Sequence, residues 1–279
     1  MTVKIKMGKI SYINAFPVYY GMDHGLCPQW LELIPDVPAV LNRKIKTGQI
    51  HISPISSAFY AMNHEELLIL PDLSISSHGK VLSVLLASRC PLDQLDGKTV
   101  LLSNESATAA SLVKLIFARR DVHPIYQTGP VNQMNHLKNS CDAVLVIGDS
   151  ALTQPWSYAY PHITDLGQLW LEMTGLPFVF ALWVVRKDVV KQTPEWVAKA
   201  HDILLASRKM GDDKIEAIVA KGVQTLGLEP RQVQEYFDRL YCDLDAPKLA
   251  ALDLFFTSLF EQGILESRVT IEQFNPENY

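Results

Sequence analysis

The sequence predicts a two-lobed α/β protein that closes a cleft over a small organic anion, and three observations predict it. Strand-length apolar runs alternate with helix-length amphipathic stretches through the first two thirds of the chain, the pattern of βα units. Several of those strands end in serine, threonine or asparagine, beyond which parallel sheets carry their ligand crevices. The length, 279 residues, exceeds one average domain, and a composition 48% hydrophobic and 20% charged supplies core for two lobes. The formal charge of -5, with no Lys/Arg run longer than two, leaves a phosphate backbone nothing to hold, so nucleic acid is not an expected partner. No apolar run approaches the roughly 20 residues of a membrane helix, and the longest, 178–185, reads as a buried strand. Residues 1–10 alternate lysine with apolar side chains and lack the apolar stretch of a secretory signal. With four scattered cysteines, Cys27, Cys90, Cys141 and Cys242, and no C-x-x-C pair, this predicts a cytoplasmic protein with free thiols.

Val3, Ile5 and Met7 alternate with Lys4, Lys6 and Gly8 as a half-buried strand does, and the apolar pattern runs on through Ile10 to a loop carrying Ser11, Tyr12 and Asn14. Residues 31–34 form a second strand; Pro35, Asp36 and Pro38 then open a helix with Val40, Leu41 and Ile45 on one face and Gly48 as its stop. A third strand over 50–55 runs into Ser56 and Ser57. Either serine can cap a helix over 58–62, because a hydroxyl accepts one of the unpaired N–H groups of a first turn. A short strand follows at 67–70. The runs 81–88 and 178–186 are the longest strand candidates, and between them lies a segment with its own β and α pattern. That segment holds an Asp96–Gly97 turn, a strand over 99–102, a polar stretch at 103–106, a helix to Arg120, and a strand over 144–147 ending at Gly148 and Asp149. Thr193, Pro194 and Glu195 open a helix expected to end near Ser207, and only helices are predicted beyond it. Val233, Tyr236, Phe237 and Leu240, then Leu252, Phe255, Phe256 and Leu259, have the spacing of packing faces, with Gly263 as a stop. Lobe I is therefore expected over 1–87 plus 184–279, and lobe II over 88–183. Two crossings, near 84–90 and 176–184, would serve as the hinge.

The polar strand ends hold the candidate chemistry. Ser11, Tyr12 and Asn14 follow the first strand, Ser56 and Ser57 the third; Ser83 sits in the first crossing, and Ser106, Ala107 and Thr108 precede a helix. A helix N-terminus attracts anions through its unpaired N–H groups and macrodipole, so two facing ends could hold a dicarboxylate; taken singly, the same residues are ordinary caps. Gly148-Asp149-Ser150-Ala151-Leu152 contains the G-D-S-L string of one hydrolase class. That chemistry needs a histidine base near the C-terminus, and the last histidine is His201, outside any D-x-x-H arrangement. Asp149 reads instead as a cap or a cleft-facing carboxylate. His24, His51, His64, His78, His123, His136, His162 and His201 contain no i,i+4 pair and no H-E-x-x-H, so no local metal site is encoded. His78, in Ser76-Ser77-His78-Gly79, is the one histidine in an expected cleft loop, either an acid or base or a solvent-facing turn residue. G-x-G-x-x-G and the P-loop pattern are absent, and no cofactor is expected.

Gly8-Lys9-Ile10-Ser11-Tyr12-Ile13-Asn14-Ala15-Phe16-Pro17 resembles the opening of chorismate dehydratases of the futalosine route to menaquinone. Further blocks agree in order: Pro54-Ile55-Ser56-Ser57, Leu70-Pro71-Asp72-Leu73-Ser74-Ile75-Ser76-Ser77, Ser83-Val84-Leu85-Leu86, Ser106-Ala107-Thr108, Ile147-Gly148-Asp149, and Thr174-Gly175-Leu176-Pro177-Phe178-Val179-Phe180-Ala181. The resemblance covers most of residues 5–190 and is loose in the helical last third. It implies a type II periplasmic-binding-protein fold, with two mixed or parallel sheets flanked by helices and joined by two hinge crossings, used inside the cell as an enzyme. It also implies loss of water from chorismate to give 3-[(1-carboxyvinyl)oxy]benzoate, through a carbanion, with the substrate's own side-chain carboxylate as base. Asn14 and Ser83 match the family's active-site asparagine and serine, for orienting a carboxylate and assisting the leaving hydroxyl. Ser56, Ser57, Ser106 and Thr108 would hold carboxylates, and Ser11, Tyr12, Ala107, Gly148, Asp149, Gly175 and Pro177 would line the substrate site. The segment Ile13-Asn14-Ala15-Phe16 departs from the family, where leucines are common, by an apolar exchange that leaves the chemistry alone. Two alternatives stay open: the sister 1,4-dihydroxy-6-naphthoate synthase, whose S-P-C-P-N-D-T loop is absent here, and a carboxylate-binding protein of the same fold without catalysis. Oligomeric state is not legible.

Overall fold

Two sheets of like pattern organise the chain, and the computed structural model describes residues 4–131 and 141–278. His136 lies outside the described residues. In the first sheet the strands run in the order β2 (Leu31–Asp36), β1 (Ile5–Ile10), β3 (Ile52–Ser56), β10 (Phe178–Arg186), β4 (Leu67–Ser77). β1 is parallel to β2 and β3, and β10 is antiparallel to both of its neighbours. The second sheet runs β7 (Ile125–Gly129), β6 (Thr99–Ser103), β8 (Ala143–Ile147), β5 (Val84–Ser88), β9 (His162–Asp165). There β6 is parallel to β7 and β8, and β5 is antiparallel to β8 and β9. In each sheet the antiparallel member is the strand that begins just after the chain has crossed from the other sheet. The sheets are thus mixed, since a strand entering by a crossover from elsewhere is free to pair in either sense.

Sheet membership puts the crossings at residues 78–83 and 166–177, so β5 pairs wholly within the second sheet and β10 within the first. Boundaries at 87/88 and 183/184 would cut both strands across their hydrogen-bond ladders. The crossing before β5 is not strand, because Leu82 takes a left-handed backbone (φ 65°) that breaks the extended run at 81–88. β7 and β9, which the apolar pattern does not disclose, are the outer strands of the second sheet; Ile125 and Ile163 stay exposed, so no buried alternation marks them. β4 extends to Ser77 rather than stopping at Leu70: its register against β10 shifts around Pro71 and Asp72 and then resumes.

Helices cover the sheets. α1 (Phe16–Gly21), α2 (Pro38–Lys46) and α3 (Ser57–Ala61) follow strand ends of the first sheet, and α4 (Ala107–Arg119), α5 (Gly148–Thr153) and α6 (Leu166–Thr174) accompany the second. After α7 (Lys187–Gln192), α8 (Pro194–Asp212) runs five residues past the expected stop at Ser207. The Ser207 hydroxyl, instead of ending the helix, accepts the Met22 N–H at 3.0 Å, tying α8 to the end of α1. α9 (Ile215–Leu226), α10 (Pro230–Phe237) and α11 (Ala246–Glu261) follow. Phe255 of α11 meets Trp170 and Phe178 edge-on, at ring separations of 5.7 and 5.0 Å, inside the main core. α9 and α10 instead bury Ile218, Val219, Val233, Tyr236 and Phe237 around Ile13. The C-terminal third therefore backs directly onto the loop after β1. No helix among the described residues is long and apolar enough to cross a membrane.

Candidate active site

The C-terminal ends of β1, β3, β6 and β8 converge on one pocket between the sheets, with about 600 Å³ of empty space, part of it open to solvent. Its floor is apolar: Ile10, Ile75, Val81, Val84, Ile147 and Phe180. Its polar wall comprises Tyr12, Asn14, Ser56, Ser83, Glu105 and Ser106. Among the described residues no lysine or arginine lines it, which leaves hydroxyls, amides and helix ends as the donors for an anion there.

Asn14 sits in the 3-10 turn Ile13–Ala15 that β1 runs into, and Ser56 ends β3. The buried Oδ1 of Asn14 and Oγ of Ser56 have no protein hydrogen-bond partner. Unpaired buried polar atoms are rare and costly, and both of these belong to the pocket wall. Ser56 holds the N-cap position of α3 without capping it. The Ala58 N–H is satisfied across the seam, by Thr108 Oγ1 at 2.9 Å. Ser57 donates to the Val179 carbonyl at 2.7 Å and lies 3.1 Å from Thr108 Oγ1. Ser57 and Thr108 are thus consumed in joining the two sheets and are absent from the wall. Ser106 does cap α4, accepting the Ala109 N–H at 3.2 Å, while its residue lines the pocket; Ala107 packs against the core behind it.

Tyr12 and Glu105 meet across the pocket mouth, the phenol donating to Glu105 Oε2 at 2.6 Å. Burial, then that hydrogen bond and the negative charge of Glu105, push the Tyr12 phenol far up, so it stays a donor. Gly148 follows β8 with φ 62°, a backbone that favours glycine, and a Cβ there would crowd the Tyr12 ring at 3.2 Å. Asp149, next in sequence, lies beside the wall rather than in it. Its carboxylate accepts the Ile13 N–H at 3.4 Å, and burial raises its pKa to about 6 against the smaller opposing effect of that bond.

The remaining expected residues lie elsewhere. Ser11 is exposed and donates to the Asp36 carbonyl at 3.4 Å. Gly175 is the exposed left-handed residue ending α6, and the buried Pro177 carbonyl accepts the Trp170 indole N–H at 3.0 Å. His78 is exposed, and His201 is buried with Nε2 2.8 Å from the Pro71 carbonyl. Among the described residues no group of three or more His, Cys, Asp and Glu side chains is placed to hold a metal ion. Residues that sequence reasoning passed over are Glu105, Phe180 and Tyr236. Glu105 carried a signal, since it lies in the polar stretch 103–106. Tyr236 carried none, because its spacing marks a packing face.

Two mixed sheets, two crossings and a pocket at the strand ends define a periplasmic-binding-protein-like fold. A structure from Archaeoglobus fulgidus superposes with a TM-score of 0.72 at 20% identity, covering 94% of this chain and 98% of that one. The conserved Candida albicans protein described as having the generic periplasmic binding protein fold gives 0.68 at 12% identity, over 98% and 97%. Within that class the chain belongs to the menaquinone biosynthesis family, whose model matches residues 5–261. The chorismate dehydratase of Thermus thermophilus is 29% identical over 268 residues, 91% of this chain and 94% of that protein. The 1,4-dihydroxy-6-naphtoate synthase of the same organism is 26% identical, over 88% and 96%.

Proposed function

We propose that this chain is a chorismate dehydratase, converting chorismate to 3-[(1-carboxyvinyl)oxy]benzoate and water within menaquinone biosynthesis. The observation that carries the reading is a pocket wall without lysine or arginine among the described residues, with Asn14 Oδ1 and Ser56 Oγ buried and unpartnered, in a chain of this family. Such a wall suits a substrate that brings its own charges: hydroxyls and amides take the carboxylates, and the apolar floor takes the ring.

The elimination balances without an added reagent. The C3 proton leaves to a base, its electron pair becomes the third ring double bond, the C4–O pair departs with the hydroxyl, and a proton completes water. Aromatisation drives the step, so the protein has chiefly to orient the C3–H bond and steady the departing oxygen. Asn14 orients a substrate polar group from the loop after β1, and Ser83 faces the leaving hydroxyl. Ser56 and Ser106 hold carboxylates, with the substrate's side-chain carboxylate as the base. The sheets act as lobes that close about residues 78–83 and 166–177, and the enzyme works in the cytoplasm.

Incubation with chorismate tests this: the expected product has lost one water and is ring-aromatic by mass and absorbance. Tight binding of chorismate without turnover would instead mark a carboxylate-binding protein. The sister synthase reading has neither its expected loop nor the stronger relative in its favour.

A further inference from the structure

Ser83 is held from three directions before any ligand enters. Its backbone follows Leu82, whose left-handed φ of 65° is strained for a branched residue. That conformation is clamped by Asp165, whose carboxylate accepts the Val81 N–H at 3.0 Å and the Leu82 N–H at 2.8 Å. The Ser83 carbonyl accepts the Gly148 N–H at 2.8 Å, fixing it to the start of α5. The third hold is on the side chain itself. Tyr236, fully buried in α10, places its phenol 3.0 Å from Ser83 Oγ.

A buried phenol that kept its hydrogen unpaired would leave a desolvated donor, which native structures rarely tolerate. Ser83 Oγ is the acceptor in reach, so Tyr236 donates and Ser83 accepts. Once Ser83 has accepted there, its own O–H is directed away from α10, and the open side of Ser83 is the pocket. We propose that Tyr236 is a positioning residue that fixes Ser83 as a hydrogen-bond donor toward the substrate's departing hydroxyl. Ser83 gives up no net proton in this arrangement. The proton that completes water is the one taken from C3, and Ser83 only stabilises negative charge on the oxygen as the C4–O bond lengthens. The inference rests on the dehydratase reading and gives the C-terminal helices, which read as packing alone, a part in the chemistry.

The test compares wild type, Tyr236→Phe, Ser83→Ala and the double variant for chorismate turnover, with thermal midpoints measured alongside. Tyr236→Phe is expected to lower kcat roughly tenfold with KM changed less than about twofold. In the Ser83→Ala background the same change should have almost no effect, because the group it acts through is gone. Val233→Ala, which trims the same helix face without touching the phenol, should lower the thermal midpoint and leave kcat in place; a matching kcat loss would reduce Tyr236 to a packing role and overturn the proposal. Wild-type turnover by Tyr236→Phe, or an undiminished tenfold loss on top of Ser83→Ala, would also overturn it. Absence of product from the wild-type chain would overturn the dehydratase reading first, and this one with it.

Discussion

Ser56 and Ser57 are neighbours in sequence and opposites in structure. Ser57 belongs to a saturated patch of the seam, where it, Thr108, Ala58 and the Val179 carbonyl satisfy one another across the two sheets. Ser56 belongs to the pocket, where its hydroxyl and the Asn14 amide oxygen are buried without partners. The same residue type therefore sits in two settings: one where its bonds are met by protein across the sheets, and one in the pocket wall, where they are not and where we propose that the substrate meets them. Burial alone does not separate the two patches, since both serines are inaccessible. The hydrogen-bond inventory does.

Substitutions should divide along that line. The largest effect is expected from Asn14→Ala, a turnover loss on the order of 100-fold with the thermal midpoint held, because the lost oxygen has no protein partner. A midpoint that fell with the activity would move Asn14 into the structural patch. Thr108→Val should do the reverse, lowering stability in urea by about 1–3 kcal/mol by stranding the Ala58 N–H, while kcat changes little. A catalytic defect without destabilisation would return Thr108 to the site. Tyr12→Phe removes the hydrogen bond that spans the pocket mouth, and a roughly threefold rise in KM is expected, with kcat retained.

The smallest effect concerns pH. Asp149 has its folded pKa raised from 3.8 to about 6 by burial. Below 3.8 native and unfolded chains both carry its proton, and the native state loses nothing. Between 3.8 and 6 the unfolded chain has given up the proton that the native state keeps, so the stability tied to this group declines across that window, and the loss is complete once the buried carboxylate ionises above 6. Asp149→Asn should remove that decline, so that the difference in urea midpoint between variant and wild type is near zero at low pH and favours the variant above 6. A flat difference would place the carboxylate in water in both states.

Much of the first sheet was readable because β1, β3 and β10 are largely buried and its strands are punctuated by Gly, Pro and Ser. β1, β2, β3 and β10, with the helices after β2 and β3, fall close to where periodicity puts them, while α1 and α7 were not foreseen. β7 and β9 escaped because Ile125 and Ile163 are exposed and mark no buried face, whereas β2, also an outer strand, carries Leu31, Leu33 and Ile34 with Leu31 buried. Of the site, Asn14, Ser56, Ser83 and Ser106 were legible as polar residues at strand ends, and Glu105 stood in the same polar stretch unremarked. Gly175 and Pro177 sit in a matching block yet end a helix and bond a tryptophan.

The sequence by itself determined the α/β architecture and the polar strand ends, since each follows from local pattern and composition. Only the tertiary structure decided which hydroxyls are spent and which are free. A serine's partner is chosen by what another element brings within 3 Å: Thr108 reaches Ala58 from the opposite sheet, and Tyr236 reaches Ser83 from 153 residues away. No local signal in the chain carries that information, because hydrogen-bond pairing between distant segments exists only once the sheets have packed.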